Sequence, residues 1–397
     1  MSEELAYVLI TPYNLLKSRT GGIVGRLMSM ADLTLVGARM YAPSDAMVDA
    51  YAATIAGQEY LDPALRNAFL EYLNDHFRPE NTLHIANRTM MLMFRGENAV
   101  EVIKEEVAGP ITSDPRGDTI RGTYGDYIRV PGGEIRYFEP AVLIGTDTKM
   151  VNDHLRLLAV YADSDGGVLE HVMSYPEGSN AETTLVILKP DNFKKQSSRP
   201  GNIIDMFSRT GLYIVGAKVL HLSVAQAERF YGPLRSLFVD RLKTGVADRL
   251  EHSLAETFDF DISADDFDAM AEILADKNAE CEFNRIVEYM TGCDPAGMSD
   301  QAKQQPGNET CLALLYQGIE AIEKIRVTLG ATNPAKASPG TVRSVYANDL
   351  MRNAAHASDS PENALREREI IDLLEDEQVC DIKEIVASYL AGKALAQ

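Results

Sequence analysis

The sequence predicts a mixed α/β fold that is built twice along one chain. Short apolar, strand-like runs alternate with segments of helical spacing. Their order, and several individual residues within them, recurs with a period near 180 residues. Between the copies, residues 175–182 (YPEGSNAE) collect the Pro, Gly, Ser and Asn expected of a linker.

Residues 7–11 (YVLIT) read as a short buried strand. Residues 22–30 have helical spacing, with Ile23, Leu27 and Met30 on one face, and residues 33–41 (LTLVGARMY) alternate like a half-buried strand. Ser44 is the expected N-cap of the next helix. The second copy repeats this order. Pro12 matches Pro190, Gly22 matches Gly201, and Val36-Gly37-Ala38-Arg39 matches Val215-Gly216-Ala217-Lys218. Further on, Phe94-Arg95-Gly96 matches Tyr316-Gln317-Gly318, and Thr119-Ile120-Arg121-Gly122 matches Thr341-Val342-Arg343-Ser344. Gly145-Thr146-Asp147-Thr148 matches Ala357-Ser358-Asp359-Ser360. The expected domains are therefore 1–175 and 183–397. The second carries a helical, acidic insertion over about 239–309, read as a surface elaboration, a subunit contact or a lid. Residues 381–395 place Ile382, Ile385, Val386, Tyr389 and Leu390 as an amphipathic helix would.

The chain has 397 residues, 45% of them hydrophobic, enough for two or three domain cores. No run of eighteen apolar residues predicts a membrane span. The acidic start, MSEELAYVLITP, lacks the pattern of a signal peptide, so a cytoplasmic setting is expected. Cys281, Cys293, Cys311 and Cys380 have no CxxC spacing and read as reduced thiols. The net charge of −21 argues against nucleic acid as a partner. Small anions remain possible ligands, since a few local arginines outweigh a distant, screened field.

Residues 332–360 gather the chemistry. They hold His356, with Asn353 three residues before it and Ser358 two after, and Arg343 thirteen before; Arg326 lies just upstream. Guanidinium forks hold phosphate oxygens, and histidine offers a neutral nitrogen nucleophile near neutral pH. This set suits phosphoryl transfer through a histidine.

The stretch resembles the nucleoside diphosphate kinase family. Asn353-Ala354-Ala355-His356-Ala357-Ser358-Asp359-Ser360 matches that family's signature, and the TNP (332–334) and PGTVR (339–343) segments fall at its spacing. The resemblance implies two ferredoxin-like α/β sandwich domains with antiparallel sheets. It makes His356 the nucleophile, oriented by Glu367 eleven residues on, with Ser358 supporting the geometry. It assigns phosphate contacts to Lys189, Arg326, Arg343 and Thr332, and a sugar hydroxyl to Asn353. Tyr231 would lie near the histidine, Phe238 would stack on the base, and Leu350 would form the other side of that slot. Mg2+ would travel with ATP, so no protein metal ligand is named. ATP and nucleoside diphosphates are the expected partners, without nucleic acid or membrane. A homo-oligomer is expected, in which three chains rebuild a pseudo-hexamer.

The first copy departs from this pattern. Thr11 stands for the lysine, Lys104 for the first arginine, and Pro110-Ile111-Thr112 for TNP. Leu143 or Ile144 stands for the histidine and Ala141 for the asparagine, while His154 follows in a predicted helix with no equivalent role. This copy is expected to be catalytically silent. The alternatives to a kinase are a nucleotide-binding scaffold without turnover and a histidine phosphotransferase acting on another protein.

Overall fold

The computed structural model describes residues 3–58, 61–84, 86–111, 116–254, 257–375 and 380–395, so Thr112 lies outside the described residues. The chain divides into two compact units, one spanning Met1–Val219 and Leu312–Gln397, the other Leu220–Cys311.

In the first copy, β1 (Glu3–Ile10) leads through α1 (Pro12–Leu16) and α2 (Thr20–Met30) to β2 (Thr34–Tyr41). Helices α3 (Asp45–Ala56) and α4 (Pro63–His76) precede β3 (Thr89–Glu97). A single turn, α5 (Ala99–Glu101), runs into a π-helix at Val102–Ala108. Then come α6 (Ile120–Tyr124), β4 (Asp126–Arg129), β5 (Ile135–Glu139), β6 (Val142–Leu143), α7 (Thr148–Val160) and β7 (Gly166–Gly167). The second copy starts with β8 (Ala181–Leu188), α8 (Arg199–Ser208) and β9 (Tyr213–Leu220). The helices α9 (Val224–Tyr231), α10 (Leu234–Leu254), α11 (Ala264–Thr291) and α12 (Asp300–Lys303) follow. The copy resumes with β10 (Cys311–Ile319), α13 (Ala321–Leu329), α14 (Val342–Tyr346), β11 (Ala355–Ala357), α15 (Pro361–Ile370) and α16 (Asp381–Leu395).

The two sheets have the orders β6-β1-β3-β2-β7 and β11-β8-β10-β9. The four strands common to both copies thus run fourth, first, third, second, which is the ferredoxin-like order. Strand β1 pairs antiparallel with β3 and β6, and β8 with β10 and β11. The central strands are apolar without alternation. Met90–Phe94 and Leu312–Leu315 are buried at every position, as strands covered on both faces must be. Ser44 caps α3 as expected, accepting the Met47 N–H.

Register fixes how the copies correspond. Ile187 faces His356, and Leu9 faces Leu143. Leu143, not Ile144, therefore occupies the histidine position. Counting back three residues, Pro140 replaces Asn353, which corrects the assignment to Ala141. Ala141 is the counterpart of Ala354. Both have positive φ (60° and 71°), unusual for residues with a Cβ. Both carbonyls accept the N–H of the residue that follows the central strand, Thr11 at 3.2 Å and Lys189 at 3.0 Å. His154 lies eleven residues after Leu143, as Glu367 does after His356, and so takes the glutamate's place.

Within the first unit, α2 of one copy packs on α8 of the other. A methyl group on Gly201 would fall well inside van der Waals contact of the Gly21 carbonyl and the Gly25 nitrogen, and one on Gly21 would meet the Gly201 carbonyl and the Asp205 nitrogen. This reciprocal contact pairs Gly201 with Gly21, not Gly22. Helix α16 buries Ile382 and Val386 and packs against α7 and β2, with Lys383 paired to Asp163.

The second unit is a helical hairpin of α10 and α11 with the shorter α9 and α12. It is longer than the expected insertion at both ends. Val246, Ala247, Phe267 and Ala271 form its small core. A capping box at Ser263 and Asp266 starts α11, and Gly292, at φ 72°, ends it.

His154 is fully buried, stacked on Tyr51 and hydrogen-bonded to Tyr7 and Thr54. Burial depresses its pKa from 6.5 to about 4. Below pH 6.5 the unfolded chain takes up a proton that the folded chain refuses, so stability is present above pH 6.5 and is lost as pH falls toward 4. The loss should reach on the order of 3 kcal/mol. Urea midpoints measured from pH 7 to 4 should fall less steeply in His154→Gln than in the parent. Equal slopes would remove His154 as the cause.

Candidate active site

His356 is the middle residue of β11, the edge strand beside β8. Its side chain is about one-fifth exposed, its Nε2 lies 2.8 Å from Glu367 Oε2, and Glu367 is buried. Ser358 donates its hydroxyl to the same carboxylate oxygen at 2.7 Å, and Arg366 approaches the other at 3.5 Å. Helix α15 fixes Glu367. Its start is set by Ser360, whose hydroxyl accepts the Asn363 N–H at 3.1 Å, and by Pro361 at the first helical position. A carboxylate accepts, so the hydrogen-bond network assigns the imidazole proton to Nε2 and leaves the lone pair on Nδ1. The residues expected to form a nucleophile and its orienting pair are brought together.

A second cluster stands behind the strand. The Lys189 ammonium donates to Asn353 Oδ1 at 2.7 Å and to the Met351 carbonyl at 3.2 Å. Asn353, itself buried, donates to the carbonyls of Leu350 at 3.0 Å and Thr332 at 3.3 Å. Arg343 donates to the carbonyls of Gly330 at 3.0 Å and Ala355 at 3.1 Å, and reaches the Thr332 hydroxyl at 3.5 Å. Lys189, Asn353, Thr332 and Arg343 thus form one connected network that ends on the residue before His356. Arg326 sits on the exposed face of the last turn of α13 and lines an open cleft with Gly330 and Thr341. Leu350 is 62% exposed. Tyr231 is buried in α9 with its ring against Phe230, and Phe238 is half-buried in α10. Both belong to the other compact unit.

Two residues of this region escaped the sequence reading. Asn192 donates to the carbonyls of Ala354 at 2.6 Å and Lys189 at 2.9 Å, holding together the ends of β8 and β11. Arg199 bridges the Asp191 carboxylate and the Tyr346 carbonyl, each at 2.6 Å. The duplication held the signal for both. Asn14 follows Thr11 by three residues as Asn192 follows Lys189, and Arg19 reaches the Tyr124 carbonyl as Arg199 reaches that of Tyr346.

The first copy shows this frame with different residues at its centre. Arg121 donates to the carbonyls of Gly109 and Val142, the counterparts of Gly330 and Ala355. In place of the lysine and asparagine stands Glu139. It is buried and accepts from Thr11, Asn14, Tyr72 and the Ala141 N–H, and burial raises its pKa. A cation has been exchanged for a carboxyl group.

Comparison with known proteins follows the second copy. The family model described as nucleoside diphosphate kinase matches residues 182–243 and 268–375. A nucleoside diphosphate kinase of Bdellovibrio bacteriovorus is 30% identical over 201 residues, 51% of this chain and 98% of the relative. One from Methanobrevibacter smithii is 30% identical over 209 residues, 53% of this chain and 97% of the relative. A crystal structure of the Aquifex aeolicus nucleoside diphosphate kinase aligns at 23% identity and TM-score 0.31, covering 48% of this chain and 94% of that one.

Substituting Asn192→Ala removes two buried hydrogen bonds from the strand ends. The loss should be about 2 kcal/mol of folding stability, read as a lower urea midpoint with an unchanged slope. A midpoint equal to the parent's would show that Asn192 does not brace the site.

Proposed function

The chain belongs to the nucleoside diphosphate kinase family, and on that premise we propose that residues 183–397 transfer the γ-phosphate of ATP to nucleoside diphosphates through His356. The observation that supports this most directly is the His356–Glu367 pair at 2.8 Å with Ser358 on the same oxygen.

The reaction runs in two in-line displacements. With its proton held on Nε2 by Glu367, His356 attacks the γ-phosphorus through Nδ1. A phosphorus–nitrogen bond forms, the bond to the bridging oxygen breaks, and ADP departs with the electron pair. A terminal phosphate oxygen of the acceptor diphosphate then attacks the phosphohistidine and regenerates the imidazole. Little covalent work falls to the protein beyond positioning and charge stabilisation. Lys189, Arg326, Arg343 and Thr332 are assigned to the phosphate oxygens and Asn353 to a sugar hydroxyl. Tyr231, Phe238 and Leu350 are assigned to the nucleoside end. Magnesium belongs to the substrate as MgATP. The residues assigned to the phosphates offer ammonium, guanidinium and hydroxyl groups, and the Glu367 carboxylate is taken by His356 and Ser358. The metal would therefore sit on phosphate oxygens.

We assign residues 1–175 to a domain without phosphotransfer, because Leu143 and His154 replace the nucleophile and its orienting acid. Among the described residues no helix is long and apolar enough to cross a membrane. A cytoplasmic location remains part of this proposal.

Incubation with γ-labelled ATP and no acceptor should leave acid-labile, base-stable label on the chain. The label should be discharged by added nucleoside diphosphate, and His356→Ala should lose both label and turnover. ATP binding without label would instead indicate a scaffold. Label that passes only to another protein would indicate a protein phosphotransferase.

Three chains, each contributing two copies, would rebuild a six-domain assembly. Sedimentation velocity should give a mass near three chains, and a stable monomer would overturn this.

A further inference from the structure

The first copy holds a cavity of about 200 Å³ where the second has its phosphate-binding arginines. Its lining includes Lys104 and Arg121, the counterparts of Arg326 and Arg343, and Leu143, the counterpart of His356. The remaining wall is mostly apolar. Leu65 and Phe69 of α4 line it together with Tyr51 and Ile144, and Glu105 lines it beside Lys104. The walls are thus those of an apolar slot with a cationic end.

Two features describe what could occupy it. The first is the Arg121 guanidinium. It is half-buried, two of its nitrogens are spent on backbone carbonyls, and its buried Nε has no hydrogen-bond partner among the described residues. Burial lowers its pKa to about 10. Among the described residues no carboxylate is hydrogen-bonded or ion-paired to it. A half-buried charge whose Nε is unsatisfied favours an incoming anion. The second is the loss of the phosphate frame. The lysine and asparagine of the second copy are replaced by Thr11 and Pro140, and Glu139 occupies their place. A polyphosphate chain would meet a carboxyl group where it needs a cation. Lys104 is half-exposed and already paired with Glu105, so it adds little free positive charge. The site therefore fits one negative charge, not three or four.

Volume sets the size of the body. Dry apolar cavities of about 150 Å³ accept a benzene ring, so this one accommodates a ring or short chain together with its acid group. We propose that the first copy binds a small organic monocarboxylate, its acid group against Arg121 and its apolar body against Leu65 and Phe69. This site is independent of the chemistry at His356.

The test uses the full chain with benzoate as probe and benzamide as its neutral counterpart, followed by calorimetry and by the shift in melting temperature. Benzoate should bind saturably at one site per chain, and benzamide at least tenfold more weakly. Leu65→Trp, which fills the cavity, should abolish benzoate binding while leaving ADP binding intact. If that variant melts well below the parent, Phe69→Ala replaces it. Enlarging the slot should shift preference from benzoate toward a bulkier naphthoate. The proposal is overturned if benzoate and benzamide bind alike, if neither saturates in the millimolar range, or if the cavity-filling variant still binds benzoate and ADP displaces it.

Discussion

The fork of Arg343 is the contact on which the second-copy site depends. One guanidinium joins the carbonyl that ends α13 to the carbonyl that precedes His356, and so ties a helix terminus to an edge strand of only three residues. Such a strand has few ladder bonds of its own. Without an anchor, the imidazole would have no fixed position relative to α15 and Glu367. Arg121 makes the same fork in the first copy, where Leu143 stands in the place of His356. The arginine therefore has a reason to be there that does not involve phosphate. Its planar, multi-donor geometry can reach two carbonyls at once, which a lysine cannot do equally well.

Much of the second-copy site was legible because its residues are close in sequence. Asn353, His356, Ser358 and Glu367 lie on one turn, strand and helix, so spacing alone specifies their relation. Lys189 is far away in sequence and was found through the family resemblance, with the repeated frame adding weight. What stayed hidden depends on long-range pairing. Whether Leu143 or Ile144 faces the central strand is a matter of register, and a one-residue slip reverses which side chain points inward. The left-handed Ala141 and Ala354 carry no sequence signal, since alanine does not advertise that conformation. The π-helix at Val102–Ala108 absorbs an extra residue between Asn98 and Gly109 relative to Glu320 and Gly330, which simple matching cannot locate. The match of Gly22 to Gly201 failed for a related reason. A register shift between Leu35 and Gly37 changes the spacing along the first copy.

The two copies show how one frame supports opposite electrostatics. Around Lys189 and Asn353 the second copy buries a cation among carbonyls and an amide. At the equivalent place the first copy buries the Glu139 carboxyl group among hydroxyls, an amide and a backbone N–H. Each arrangement satisfies its own charge, and neither could exchange a single residue with the other without leaving a buried group unpaired. The drift of the first copy is a coordinated replacement.

The glycine contact between α2 and α8 joins surfaces that belong to one polypeptide. For separate subunits, such a contact would be made and broken by mass action, and would weaken on dilution. Here the linker holds the partners at an effective concentration in the millimolar range, whatever the amount of protein in the cell. At the α2–α8 contact the second copy therefore meets the first copy of its own chain. The molecule has traded the interchangeability of identical subunits for a fixed pairing of unlike halves, in which one half can change its residues while still serving as the wall against which the other half is built.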